Sequence, residues 1–175
     1  GRHVVQTREP GGTPLAEAIR GVVLQSWDEG VSPETELLLM FAARAAHVRH
    51  LIEPALASGR DVICDRFVDS SYAYQGAGKG VETHHVRALE ALVLSTLKPD
   101  LTLILDLDPA QGLQRALARG QANRFEAEAL PFMQRVRAAF LQRANDEPAR
   151  CIVIDAAQAV DVVFEQIRRV LEARL

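Results

Sequence analysis

The sequence is short of lysine, and the shortage narrows the kinds of ligand it can bind. Only Lys79 and Lys98 are lysines, so the other 18 of the 20 cationic side chains are arginines. Arginine is the residue whose planar guanidinium suits bidentate phosphate contacts, although GC-rich coding produces the same bias. The net charge of −3 excludes a general nucleic-acid or anionic-membrane binder, because such proteins depend on clustered positive charge.

Cysteines and long apolar runs are also scarce. Cys64 and Cys151 are too few for a disulfide framework or a zinc site, and each lies in a short apolar run typical of a core. We find no signal peptide and no apolar run long enough to cross a bilayer, so the cytoplasm is the expected compartment. The histidines, including His47 and His50 on one predicted helix face, have no cysteine or carboxylate cluster beside them. We therefore expect solvated histidines rather than metal ligands.

A complete phosphate-binding loop is missing as well. That loop needs a glycine, four residues and then Gly-Lys-Ser/Thr, so that backbone N–H groups wrap the phosphates and the hydroxyl reaches magnesium. The nearest match is AYQGAGKGVE at residues 73–82, where Ala73 stands five residues before Gly78 and Gly80 follows the lysine. We expect a flexible glycine turn at this stretch.

Short β-branched runs alternate with amphipathic helices, which is the pattern of an α/β protein with a parallel sheet covered by helices on both faces. With 48% hydrophobic residues in 175, the chain is expected to fold as a single domain over residues 1–175. Strands are predicted at residues 3–7, 61–65, 101–107 and 151–154. Because ligands bind beyond the carboxyl ends of parallel strands, the segments after Thr7, Asp65 and Leu107 are expected to converge on a site.

Helix boundaries follow from caps and breakers. Thr13-Pro14 and Ser32-Pro33 each place a capping side chain before a proline at the first helical position. The second of these helices is expected to bend at Pro54 and end at Gly59. Further helices are predicted at residues 83–97, from Pro109 to a break at Gly120, at 127–144 and at the C terminus.

Three segments carry side chains suited to phosphate or base chemistry. Arg8, Glu9 and Pro10 follow the first strand beside two glycines, and Asp65-Arg66 follows the second, where a carboxylate holds magnesium or its water in P-loop enzymes. A surface ion pair explains Asp65-Arg66 equally well. Arg44 lies inside an apolar helix stripe, from which it either snorkels to solvent or bonds the edge of a base stacked on an aromatic ring.

A fourth segment carries arginines on and beside a glycine-started loop. Arg115 and Arg119 share a helix face, and Arg124 follows in the next turn. They suit a lid, at about residues 115–127, that closes over transferring phosphates. A solvated basic helix end accounts for them equally well.

Taken together, five motifs resemble bacterial thymidylate kinase in order and spacing, over nearly the whole chain. They are TREPGGTPLAEAIR (7–20), MFAAR (40–44), DRFVDSSYAYQGAGKG (65–80), KPDLTLILDLDPAQGLQRALARG (98–120) and NRFE (123–126). The resemblance implies a P-loop nucleoside-monophosphate-kinase-like fold with a five-stranded parallel sheet. It also implies transfer of the γ-phosphate of Mg-ATP to dTMP, giving dTDP, by an enzyme that is usually a homodimer.

The resemblance also assigns roles to residues. It implies that Arg8 and Arg66 hold the dTMP phosphate, that Asp65 serves Mg²⁺ directly or through water, and that Arg44 bonds the thymine edge. The other implied substrate contacts are Glu9, Pro10, Ser71, Tyr74 and Gln75. The family stacks thymine on a Phe four residues before the arginine, where this chain has Met40, with Phe41 three before. Arg115, Arg119 and Arg124 are implied to reach the ATP phosphates and act in transfer.

One departure from the family is large. The family begins with a strand and a true P-loop upstream of REPGG, whereas this sequence starts at Gly1, just before the second strand. We expect a truncated or partial chain that lacks the central strand, leaves two unpaired strand edges and transfers phosphate poorly. A related nucleotide or nucleoside kinase and a non-catalytic nucleotide-binding or scaffolding protein are the alternative functions.

Overall fold

The computed structural model describes residues 2–118 and 130–174. Over these residues the elements follow one another in the α/β order that the sequence pattern indicates. They are β1 (Val4–Arg8), α1 (Pro14–Leu24), α2 (Pro33–His47), α3 (Glu53–Ala57), β2 (Asp61–Asp65), α4 (Val68–Ser71), α5 (Thr83–Leu94), β3 (Thr102–Asp106), α6 (Pro109–Ala118), α7 (Leu130–Asp146), β4 (Cys151–Asp155) and α8 (Val160–Arg174). The chain divides into two compact units, Gly1–Lys98 and Pro99–Leu175.

In the first unit, β1 and β2 form a parallel pair. Their register sets Val4 against Asp61 and Arg8 against Asp65, and the Glu9 N–H donates to the Asp65 carbonyl at 2.9 Å. The carboxyl ends of both strands therefore lie side by side. The buried core beside them comes from α2, α4, α5 and the segments joining them: Leu37, Phe41, Val48, Ile52, Val68, Val81, Val86 and Leu94.

The predicted helix starts are confirmed. The Thr13 side chain accepts from the Ala16 N–H, and the Ser32 side chain accepts from the Thr35 N–H. A proline follows each cap, where its missing N–H costs no helical bond. Both α1 and α2 are thereby fixed at their first residue.

The disturbance predicted at Pro54 takes the form of a π-helical segment, Val48–Ile52, between α2 and α3. Proline lacks the N–H that would continue the α-helical bonding pattern, and a local change of helix type is one way to accommodate it. The helix then ends at Ala57, and Gly59 takes a left-handed backbone with φ +74°.

The glycine turn predicted at residues 73–82 is wrong for its first half. Tyr72–Gly78 is a π-helical segment that continues α4, and Ala73, Gln75, Gly76 and Gly78 are buried in it. Burial of this face outweighs the low helix propensity of glycine. The chain leaves the helix only at Lys79, and Gly80 then adopts a φ of +81°.

In the second unit, β3 and β4 form another parallel pair, from Thr102 against Cys151 to Asp106 against Asp155. Helix α7 packs on both strands, and Ile104, Ala144 and Cys151 form a small buried core with Phe140 against it. The strands lie within a residue or two of their predicted positions.

Within the described residues, β2 and β3 each pair with one strand. The expectation that a central strand between them is missing, the single domain over residues 1–175 and the lid at about 115–127 stay predictions. No helix in the described ranges is both long enough and apolar enough to traverse a bilayer.

Asp106, at the carboxyl end of β3, is held by Arg137 of α7. Arg137 Nε and Nη2 donate to the two Asp106 oxygens at 2.7 and 2.9 Å, and these bonds lower the pKa of Asp106. A carboxyl whose pKa is lowered by folding stabilises the protein above its unfolded pKa, and that contribution is lost as pH falls through the folded pKa.

We therefore expect Arg137→Gln to lower the free energy of unfolding at pH 7 by on the order of 1 kcal/mol, a solvent-screened value because the pair is partly exposed. The difference from the parent should shrink towards zero below about pH 4, where the carboxyl protonates in the unfolded chain. Chemical denaturation of both proteins at each pH measures it. Arg137→Lys keeps the charge but not the bidentate contact, so its free energy of unfolding should fall by less than that of Arg137→Gln. An equal difference at pH 7 and below about pH 4 would mean that the Arg137–Asp106 contact does not cause the change in stability.

Candidate active site

The carboxyl ends of β1 and β2 bring together most of the side chains singled out in the first half of the sequence. Arg8 lies opposite Asp65, and Glu9 and Arg66 follow directly. Convergence of the segments after Thr7 and Asp65 is thus confirmed. Leu107 belongs to the second unit, so its part in the site stays a prediction.

Arg44 of α2 is the centre of a buried polar network. It is 1% exposed, its Nε donates to Glu9 Oε2 at 2.8 Å, and its Nη1 donates to Ser71 Oγ at 3.1 Å. The snorkelling alternative is therefore wrong. A buried guanidinium needs a partner charge and hydrogen bonds to offset its desolvation, and Glu9, itself 3% exposed, supplies the charge.

His47 extends this network to β1. Its ring is fully buried, with Nδ1 3.2 Å from Glu9 Oε1 and Nε2 2.7 Å from Thr7 Oγ1. The expectation of solvated histidines is wrong here, although His50 on the same helical stretch is exposed, as expected. The missed signal was spacing, because His47 is three residues after Arg44 and such pairs share a helix face.

Gly12 lies against the same histidine. A Cβ built there would come within 2.5 Å of Thr7 Oγ1 and 2.7 Å of the His47 ring, and its φ is +88°. Only glycine fits this position, because it has no Cβ and tolerates the left-handed backbone. The second glycine of REPGG thus allows the loop to pass close to the buried network.

Two aromatic rings pack on the Arg44 guanidinium. Its central carbon lies 4.5 Å from the Phe41 ring centroid and 5.6 Å from that of Phe67. Both distances suit cation–π contact. Phe41 is 2% exposed and belongs to the core, whereas Met40 is 8% exposed. Phe67 was not anticipated from the sequence.

This region buries a donor and an acceptor that have no partner in the part of the chain that the structure describes. Within the described residues, neither Arg44 Nη2 nor Gln75 Oε1 has a hydrogen-bond partner. Arg44 bonds Ser71, and Gln75 comes four residues after Ser71 on the same helical stretch. Buried polar atoms are almost always paired, so an unpaired donor and acceptor from neighbouring residues are suited to a polar ligand.

Gln75 is itself held in place by Glu36, which the sequence did not single out, and Glu36 by Lys79, which was noted only in the incomplete phosphate-binding loop. Its Nε2 donates to Glu36 Oε1 at 2.9 Å, and Lys79 Nζ lies 2.9 Å from Glu36 Oε2. Glu36 is 1% exposed. It occupies the first turn of α2, where a carboxylate is favoured by the helix dipole.

The exposed side of the site carries two arginines and a carboxylate. Arg66 has a left-handed backbone with φ +65°, which costs roughly 1 kcal/mol for a residue other than glycine. Its guanidinium lies 4.9 Å from the Tyr74 ring centroid. Arg8 is half exposed and pairs with Glu17 at 2.9 Å, and Asp65 is exposed.

Two more residues of these segments have structural partners. The Pro10 carbonyl accepts from Arg20 Nη1 at 2.8 Å. Cys64 donates from Sγ to the Arg66 carbonyl at 3.0 Å, and burial, followed by the charge of Glu9, raises the pKa of its thiol to about 12. Cys64 is therefore a protonated structural thiol rather than a nucleophile.

Of the three lid arginines, the structure describes the side chain of Arg115. Its Nη1 and Nη2 donate to the Ala156 and Ala157 carbonyls at 3.0 and 3.2 Å, so it fixes the turn after β4. Arg119 and Arg124 lie outside the described residues, and the role of the set stays a prediction.

The described residues form an α/β protein of parallel strands, with arginines and a carboxylate at the carboxyl ends of β1 and β2. The family model "Thymidylate kinase" matches residues 1–167. The thymidylate kinase of Pseudomonas fluorescens strain Pf0-1 is 58% identical over 167 residues, which cover 95% of this chain and 80% of that protein. That of Pseudomonas putida strain F1 is 52% identical over 171 residues, covering 98% and 81%.

A solved structure agrees with the sequence matches. The crystal structure of thymidylate kinase from Ehrlichia chaffeensis has a TM-score of 0.76 and 36% identity, and the match covers 97% of this chain and 80% of that one. The chain belongs to the thymidylate kinase family. The predicted family, fold class and enzyme class, a phosphotransferase of nucleotide biosynthesis, are thereby confirmed.

Proposed function

We propose that the chain phosphorylates dTMP to dTDP with ATP as the phosphate donor. The observation that carries the proposal is the buried donor Arg44 Nη2 and the buried acceptor Gln75 Oε1, which have no hydrogen-bond partner among the described residues. Thymine presents an acceptor at O4 and a donor at N3–H, which this donor and acceptor match. Cytosine presents the opposite groups at both positions, so the pair favours dTMP over dCMP.

Arg66 and Arg8 are the proposed contacts to the dTMP phosphate. Both are exposed at adjacent strand ends, and guanidinium groups bind phosphate in a bidentate manner. The left-handed backbone of Arg66 supports a functional role, because strained residues concentrate at binding sites. Arg8 would exchange its Glu17 contact for the phosphate, and Tyr74 and Pro10 would flank the nucleotide.

Met40 is the proposed contact to the thymine face. Phe41 is less suited, because the Arg44 guanidinium packs on its ring and the rest of the side chain is in the core. Met40 precedes Arg44 by four residues, the spacing that puts both on one side of α2. The flexible thioether makes favourable contacts with aromatic rings.

Glu9 is proposed to position Arg44 rather than to contact dTMP. Its two carboxylate oxygens are bonded to Arg44 and His47, which leaves the substrate role expected of it to its neighbours. Ser71 acts in the same way through Arg44 Nη1.

Asp65 is the proposed magnesium residue, directly or through water. Mg²⁺ is usually held by one or two carboxylates with substrate phosphates and water, and the exposed Asp65 at the end of β2 fits that pattern. No cluster of three or more metal-binding side chains occurs in the described ranges. When bound, Mg²⁺ would neutralise charge on the transferring phosphoryl group. Arg115, Arg119 and Arg124 are proposed to serve the ATP phosphates.

The proposal is tested by calorimetric binding of dTMP, dCMP and thymidine, together with chromatographic detection of dTDP made from ATP and dTMP. We expect dTMP to bind more tightly than either competitor and to be the substrate converted. Preference for dCMP or for a nucleoside would instead indicate a related kinase. Selective dTMP binding with no product from Mg-ATP, even after an upstream strand and P-loop are added to the chain, would indicate a non-catalytic nucleotide-binding protein.

We further propose a homodimer, as the family resemblance implies, located in the cytoplasm, the compartment expected from the sequence. Light scattering after size-exclusion chromatography measures the mass in solution. A monomer at concentrations well above those of the assay would contradict the dimer.

A further inference from the structure

We propose that Glu36 is a positioning residue for base selectivity, which acts by fixing the orientation of the Gln75 amide. Lys79 in turn holds the Glu36 carboxylate in place. The inference rests on the proposed recognition of dTMP by Gln75 and Arg44.

The orientation of the Gln75 amide follows from the chemistry of its neighbour. An amide can turn over and exchange its oxygen for its nitrogen, so Gln75 by itself could offer a ligand either an acceptor or a donor. An ionised carboxylate only accepts. Glu36 Oε1, 2.9 Å from Gln75 Nε2, therefore binds the NH₂ side and leaves Oε1 as the group without a partner.

Lys79 supplies the charge that this arrangement needs. A buried carboxylate is costly unless it is paired, and Glu36 is 1% exposed. The ammonium lies 2.9 Å from the second Glu36 oxygen, with the Lys79 side chain 13% exposed. The glycine-lysine segment, which fails as a phosphate-binding loop, thus has a function as the counter-charge of the base site.

Glu36 affects only one of the two contacts that separate thymine from cytosine. It sets the acceptor facing base N3, whereas Arg44 sets the donor facing O4. Glu36 does not influence contacts to the 5-methyl group, the only difference between uracil and thymine. A change at Glu36 should therefore alter the binding of dUMP and dTMP equally. A change in selectivity against cytosine without a change between uracil and thymine thus distinguishes misorientation of the Gln75 amide from a general loss of order in the site.

The test is Glu36→Gln in the full chain, with dissociation constants of dTMP, dUMP and dCMP from calorimetry. In this variant the new amide at position 36 faces the Gln75 amide, and the two can hydrogen-bond in either orientation. Gln75 is therefore no longer forced to turn its oxygen towards the base. We expect the ratio of the dCMP to the dTMP constant to fall by about tenfold, the effect of one hydrogen bond. The ratio of dUMP to dTMP should stay the same.

Glu34→Gln is the matched control, because Glu34 is exposed in the same first turn of α2 and should leave both ratios at parental values. Should Glu36→Gln not fold, Lys79→Met tests the same link, and the dCMP to dTMP ratio should again fall. An unchanged dCMP to dTMP ratio in the folded variant overturns the inference. Absence of selectivity in the parent protein instead removes the proposed function itself.

Discussion

Arg66→Ala is expected to weaken dTMP binding roughly a hundredfold, because a charge-assisted contact to phosphate is worth about 1.5–3 kcal/mol. Binding of thymidine, which has no phosphate, should change less than about twofold on the same reasoning. Calorimetric titration of the variant with both ligands measures the two effects. Equal losses for dTMP and thymidine would mean that Arg66 does not contact the phosphate.

The backbone of Arg66 supplies a control that separates the guanidinium from strain. Its φ of +65° suits glycine better than alanine. The free energy of unfolding of Arg66→Gly should therefore be about 0.5–1 kcal/mol higher than that of Arg66→Ala. Both variants should lose the same phosphate affinity. Arg60→Ala, at an exposed arginine just before β2, should affect neither ligand.

The strand ends could be predicted from the sequence because parallel sheets follow a general rule. Apolar runs indicate the strands, and residues after such strands meet at one edge. That rule alone placed Arg8 near Asp65, which the register then confirmed. The prediction did not require knowing which residue each side chain contacts.

The buried network could not be predicted in the same way, because its bonds join residues far apart in the chain. Arg44 bonds Glu9 across 35 positions, and His47 contacts Thr7 across 40. A polar residue in an apolar stripe reveals that burial needs a partner, but not which residue provides it. The expectation of a solvated His47 was an error of this kind, and for the same reason the two alternatives for Arg44 stayed open.

Glu36 and Lys79 were missed for a related reason. A glutamate in the first turn of a helix is explained by the helix dipole, and a lysine between glycines resembles a surface turn. Only the fold shows that the two meet, 43 residues apart, beneath Gln75. Ordinary local explanations thus hid a structural role.

Helix α2 unites these observations. Glu36, Met40 and Arg44 are spaced four residues apart, so they form one stripe along the helix. Each end of the stripe controls one of the two groups without a partner among the described residues. Glu36 orients the Gln75 amide and so its Oε1, and Arg44 carries Nη2 itself. One helix face therefore fixes both the donor and the acceptor that we assign to the base.

Arg44→Met is expected to have the largest effect on stability. The substitution removes the guanidinium that pairs with Glu9, a residue only 3% exposed, and removal of one member of a buried ion pair costs about 3–5 kcal/mol. Chemical denaturation of the variant and the parent gives the difference in the free energy of unfolding. Loss of dTMP selectivity over dCMP should accompany it in whatever fraction stays folded.

The double variant Glu9→Gln/Arg44→Met decides whether the unpaired charge causes that loss. Glutamine has the shape of glutamate without its charge, so the double variant should be about 1–3 kcal/mol more stable than Arg44→Met alone. It should still fail to discriminate dTMP from dCMP, because the guanidinium donor is absent. A double variant no more stable than Arg44→Met would show that the unpaired charge of Glu9 does not cause the loss.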